Sequence, residues 1–224
     1  MILVLLALLL LGLMFYPQYA TRKLLQKHNS PRADFPGTGG QFAEHLIQRF
    51  KLTDVSTEIT ASGDHYDPQA RCVRLSKDHF EGKSLTAVVV AAHEVGHAIQ
   101  HHTQSKALLT RTALARFAFY AGKAAQVALV ATPLLTGVSP GLARLSLVIV
   151  VGGILMSTLV HLITLPVEWD ASFNKAMPVL REGDYLSADD LVNAKRILTA
   201  CAMTYVSASL GSLVGVLRWV RWLR

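Results

Sequence analysis

Cysteine is nearly absent from this 224-residue chain. Its two copies, Cys72 and Cys201, stand far apart and form no C-x-x-C pair, which excludes a disulfide framework and a thiolate zinc site and suits a reducing compartment. Acidic residues are scarce as well: 15 Asp and Glu against 22 Lys and Arg leave a net charge of +7. In a soluble chain that excess would raise nucleic acid as a partner. No aromatic-plus-basic nucleic-acid motif appears, and the Lys and Arg residues flank apolar segments, so no nucleic-acid partner is expected and anionic lipid headgroups are implied. There is no internal repeat and no low-complexity tract.

Apolar sequence is what the chain has in abundance. Hydrophobic residues make up 51% of it and mean hydropathy is positive, while the length allows one domain and not comfortably two. Residues 1–16 are almost wholly apolar, without a basic n-region or a clear small-residue cleavage site. They read as an uncleaved anchor, extended by residues 17–20 toward the roughly 20 residues that cross a bilayer. Residues 112–135 are long enough to span but hold Arg116 and Lys123, seven apart on one helical face. Such charges face a bundle interior or water, or snorkel, unless the span starts after Arg116. Residues 142–165 form the strongest span, with Gly152 and Gly153 inside and His161 near its end. Residues 199–217, rich in small side chains, make a fourth, closed by an interfacial cluster of Arg218, Trp219, Arg221, Trp222 and Arg224.

Between the first two spans the chain is polar, with turn punctuation at Ser30-Pro31, at residues 36–40 and at Asp67-Pro68. Helical spacing covers residues 40–50, and strand-like alternation covers 55–59 and 71–76. The second strand reads either as an edge that takes an extended substrate by strand addition or as part of an ordinary hairpin. A helix is expected over 187–198, capped by Ser187 with Asp190 at the third position. The expected fold is therefore mainly α: a polytopic membrane protein with about four transmembrane helices and a small domain containing a short β-hairpin or sheet. Its parts are an anchor over 1–20, the polar region over 21–111, and membrane helices over 112–224 with a polar segment at 166–198.

Inside residues 21–111 stands His93-Glu94-Val95-Gly96-His97. On a helix, residues four apart share a face at about 5–6 Å between Cβ atoms, so His93 and His97 can turn toward one metal ion. Tetrahedral zinc takes His nitrogen at roughly 2.0–2.1 Å. Glu94, next to the first ligand, can reach a metal-activated water and serve as general base. A bare match of this kind also arises by chance on a solvated helix. Here Glu94 is the one charged residue between Ser84 and Gln100, and a histidine pair in so apolar a helix is costly to bury without a partner.

A catalytic zinc needs a third protein ligand and an open position. His101 lies one turn beyond His97, but three ligands on one straight helix would span about 12 Å, too far for one ion. His101 and His102 read as solvated or supporting groups. A metzincin would carry His six beyond His97, where Thr103 stands, and Gly where Gln100 stands. Glu168, in Leu165-Pro166-Val167-Glu168-Trp169-Asp170-Ala171-Ser172, emerges just past the strongest span and completes a His₂Glu set. A helix-start acid is the alternative reading there, a role that Asp170 fills equally well. Asp170 is also a candidate acceptor for a ligand imidazole.

Four blocks then carry a resemblance: residues 63–68 (Gly-Asp-His-Tyr-Asp-Pro), 73–76 (Val-Arg-Leu-Ser), 91–100 around His93-Glu94-Val95-Gly96-His97, and 165–172. Together they resemble the bacterial YugP-like membrane zinc metallopeptidases over most of the chain, a family distantly similar to membrane gluzincins of the HtpX type. In the third-ligand region those carry Glu, an aromatic, any residue, Ala, then Asp. Glu168, Trp169 and Ala171 match that order, and Ser172 stands where the Asp would be, so Asp170 or Ser172 takes the task of orienting a zinc-binding His. The resemblance implies neutral peptidase activity.

The expected function is a membrane-embedded Zn2+ metalloendopeptidase in which His93, His97 and Glu168 hold the ion and Glu94 is the base, with residues 21–111 as its zincin-like catalytic domain and 166–198 as the third-ligand segment. Membrane proteins or peptides are the expected substrates. His65, Tyr66 and His161 are candidates for the group that stabilises the oxyanion. A non-proteolytic membrane adaptor with a structural zinc is the alternative, against which an intact Glu94 argues. Arg116 and Lys123 raise a third reading, anion conduction or transport. Arg22, Lys23, Lys27 and Arg32 follow the first span, so the region after it is expected on the cytoplasmic side of a bacterial inner membrane. Four spans return residues 166–196 to that side. The arginines near the C-terminus would then lie outside, against the rule, and the larger first cluster outweighs them.

Overall fold

The computed structural model describes the backbone of residues 2–222 and the side chains of residues 11–211. The elements in chain order are α1 (Ile2–Lys27), α2 (Gly39–Arg49), β1 (Ser56–Thr60), β2 (His65–Asp67), β3 (Cys72–Ser76), α3 (Lys77–Phe80), α4 (Leu85–His102), α5 (Lys106–Val138), α6 (Pro140–Trp169), a π-helix (Asp170–Ala176), α7 (Met177–Glu182) and α8 (Ala188–Trp222). The fold is mainly helical with one small sheet. Two compact units divide it. One holds residues 17–108 and 167–204, the other residues 1–16, 109–166 and 205–224.

The first unit is a mixed sheet and short helices around an apolar core. Local sequence explains its elements. Thr38 accepts from the Gln41 N–H while the Gln41 side chain reaches back to the Thr38 N–H, a capping box that starts α2. From there Ala43, Leu46 and Ile47 fall on one buried face. Asp67 Oδ1 accepts from the N–H groups of Gln69 and Ala70, which turns β2 into β3. Ser84 caps α4 by accepting from the Ala87 N–H. Leu46, Leu52, Val73, Leu75, Leu85, Val89, Val95, Leu180, Ile197 and Leu198 fill the core.

The sheet order is β1-β3-β2, with β1 parallel and β2 antiparallel to β3. This corrects the expectation of a substrate-binding edge at residues 71–76. β3 is the central strand, with both of its hydrogen-bonding sides already paired, and strand addition needs an open edge.

In the second unit, Gly153 lies so close to α5 that a Cβ would meet the Ala125 side chain at 2.6 Å and the Ala121 carbonyl at 3.1 Å. That is the small-residue packing of membrane helices. Thr132 Oγ1 lies 2.5 Å from Ser146 Oγ. On the outer face Val127, Val130, Leu134 and Val138 are each more than 70% exposed, an apolar surface suited to lipid. Among the described residues two helices are long and apolar enough to cross a membrane, Lys106–Val138 and the one that starts at Pro140. Arg116 and Lys123 are exposed on α5, with Lys123 Nζ 5.3 Å from the Phe119 ring centroid. The side chains of residues 1–10, and those of Arg218, Trp219, Arg221, Trp222 and Arg224, lie outside the described residues.

Candidate metal centre

α4 is the spine of the site. Leu85, Val88, Val89, Ala91, Ala92, Val95 and Ala98 are all buried, so the helix is held in place along its length. His93 and His97 lie one turn apart on it, ring centroids 4.8 Å apart and planes at 80°. The second contribution comes from the last turn of α6 and the π-helix that follows. π-turns are rare and recur at functional sites. Gly96 lets that segment approach: a Cβ there would lie 2.8 Å from the Ala171 carbonyl oxygen.

Glu168 is buried and its Oε2 lies 3.2 Å from His93 Nε2 and 3.5 Å from His97 Nε2. Ligand atoms of these three residues all fall within 4.8 Å of one another. Around one tetrahedral zinc with bonds of about 2.0–2.1 Å, ligand atoms sit roughly 3.3–3.4 Å apart. The two distances bracket that value, and two imidazoles with one carboxylate are a donor set that zinc takes. The residues present therefore fit the ion.

The outer nitrogens of both rings are occupied. Ser172 Oγ lies 3.2 Å from His93 Nδ1, and Gln100 Oε1 lies 2.9 Å from His97 Nδ1. Gln100 Nε2 in turn donates to the Val167 carbonyl at 2.9 Å and to Asp170 Oδ2 at 2.7 Å. Asp170 also accepts from Asn174. Of the two residues offered for orienting an imidazole, Ser172 meets His93 itself, and Asp170 reaches His97 through an amide.

Electrostatics follow from burial. Glu94 is 7% exposed, and desolvation pushes its carboxyl above the ordinary range. The charges of His93 and His97 pull it back, and those of Glu168 and Asp64 add to the rise. For His97 burial opposes the charged form, yet the Glu168 carboxylate outweighs it and raises the pKa to about 9. Asp64, from the block at residues 63–68, is a further charge that acts on Glu94. Burial pushes its carboxyl up, but His79 Nδ1 at 2.8 Å and the Ser76 N–H at 2.7 Å hold it below its ordinary value.

The remaining candidates go elsewhere. His101 Nδ1 lies 2.8 Å from the Tyr66 hydroxyl, and His102 is exposed. His65 Nδ1 lies 2.8 Å from the Gly63 carbonyl oxygen. His161 belongs to the other unit, where it lines a cavity of about 520 Å³ with Lys123, Gln126 and Ser157. Gln100 was missed in the sequence. Its signal was a polar residue one turn beyond His97 in an otherwise apolar helix.

Fold and site together define a mainly helical protein with membrane-type helices and a buried centre of two histidines and one glutamate. The chain belongs to the neutral zinc metallopeptidase family: the family model described as "Putative neutral zinc metallopeptidase" matches residues 2–224. The cofactor this family implies is Zn2+. The chain is also 34% identical over 224 residues to "Putative membrane protease YugP" of Bacillus subtilis (strain 168), covering 98% of this chain and 96% of that one. No solved structure matches it.

Proposed function

We propose that this protein is a membrane-embedded zinc metalloendopeptidase whose ligands are His93, His97 and Glu168 and whose general base is Glu94. The observation that carries the reading is the convergence of His93 Nε2 and His97 Nε2 on Glu168 Oε2, at 3.2 and 3.5 Å, with a second buried carboxyl, that of Glu94, beside His93 on the same helix. Bound there, zinc supplies a Lewis acid that polarises a peptide carbonyl and lowers the pKa of water toward ~7. Glu94 takes the proton of the attacking water and delivers it to the leaving amine. Its upward-shifted pKa makes it a stronger base than an ordinary carboxylate. Ser172 and Gln100 hold the two imidazoles from behind. A structural zinc site has no use for such a base. Activity in detergent-purified protein should vanish on chelation and return with stoichiometric zinc; hydrolysis indifferent to chelation would refute the assignment.

The relative's description as a membrane protease supports a lipid setting and substrates that are membrane proteins or their peptides. In this reading four helices cross the inner membrane, the two candidate spans together with α1 and the C-terminal part of α8. Arg22, Lys23, Lys27 and Arg32 put the catalytic unit on the cytoplasmic side. A single cysteine introduced as Gln69→Cys should react with an impermeant maleimide only in permeabilised cells. Labelling of intact cells would reverse the topology.

A further inference from the structure

Gln100 is fully buried, and its three hydrogen bonds admit one arrangement. One end of its amide faces two oxygens, the Val167 carbonyl at 2.9 Å and Asp170 Oδ2 at 2.7 Å. A carbonyl carries no hydrogen, so the Val167 oxygen by itself requires a donor at that end. Only the NH₂ end satisfies both acceptors, since an amide turned the other way would set oxygen against oxygen in a dry site. The Oε1 end is thereby fixed on His97 Nδ1 at 2.9 Å, and it can only accept.

His97 Nδ1 must then carry a proton, so in the neutral ring that binds a metal the free lone pair is the one on Nε2, which faces Glu168 Oε2 3.5 Å away. The same two acceptors sit on either side of Glu168 in the chain. Gln100 thus sets the tautomer and rotation of one ligand on α4 while clasping the segment that presents another. Ser172 is not equivalent, because its hydroxyl can rotate to donate to or accept from His93 Nδ1.

We infer that Gln100 is a positioning residue that locks His97 as the Nδ1–H tautomer and couples it to the placement of Glu168, so that the two ligands are preorganised as one unit. The inference rests on the metal site proposed above. Partners of this kind typically contribute 10–100-fold in metal affinity.

Two measurements on the full-length protein test it. In zinc-loaded wild type, nitrogen NMR of His97 should show a slowly exchanging Nδ1–H and zinc on Nε2. In Gln100→Leu, of similar size but without polar atoms, zinc affinity read by chelator competition should fall roughly 10–100-fold, and the Nδ1–H should exchange freely. Zinc on His97 Nδ1 in the wild type would overturn the inference even if the variant failed to fold. So would a folded Gln100→Leu protein with wild-type zinc affinity and an unchanged Nδ1–H. Wild-type protein that takes up no zinc would instead overturn the metal-site reading, and this inference with it.

Discussion

Glu94→Gln is expected to keep one zinc per chain and to cut peptide hydrolysis roughly 10²–10⁴-fold, the contribution of a positioned general base. The substitution is isosteric, so α4 keeps its packing. Glu94 is not among the three residues whose ligand atoms gather within 4.8 Å, so the donor set survives. What is lost is a buried proton acceptor whose pKa desolvation has raised. The sign of the pH dependence follows. The base works ionised, so the wild-type rate falls as pH drops through that raised value, and the residual rate of the variant lacks this acid limb. Zinc content and melting temperature measured on the same sample separate a chemical defect from a folding one. Undiminished hydrolysis by zinc-loaded Glu94→Gln would remove Glu94 from the mechanism.

Glu168→Ala should lose zinc, by more than the roughly 10–100-fold that removing an outer partner costs. Two imidazoles on one helical turn are an incomplete donor set for zinc, and Glu168 Oε2 is the atom both Nε2 atoms face. One effect opposes the loss: His97 owes its raised pKa to this carboxylate, so in the variant its pKa drops and the proton competes less with zinc for the imidazole. Zinc titration followed by circular dichroism of the same protein checks both the affinity and the fold. An alanine variant that binds zinc as tightly as wild type would exclude Glu168 as a ligand.

The helical parts were legible because their signals are local. Spacing over 40–50 gave a helix found at Gly39–Arg49, and Ser187 caps α8 by accepting from the Asp190 N–H. Only Ser139 separates α5 from α6, since Gly137 is tolerated inside α5 and Pro140 is well placed to begin α6. The surface helix at 187–198 and the apolar run after it are one continuous helix, because no breaker separates them. Strand order was not legible. Alternation reports the two faces of a strand and says nothing of how many neighbours it pairs with, and the parallel β1–β3 pairing joins residues 16 apart. The π-helix has no residue signature, and the close approach of its Ala171 carbonyl to Gly96 is a tertiary contact. Glu168 was legible as an acid just past an apolar run. Gln100 was not, because its meaning lies in three partners that tertiary contact alone supplies.

X-ray absorption at the zinc edge of the purified wild-type protein tests the central claim most directly. One zinc per chain with two imidazole nitrogens and carboxylate oxygen at about 2.0–2.2 Å is the expected first shell. Sulfur scattering near 2.3 Å would implicate Cys72 or Cys201 and contradict the account.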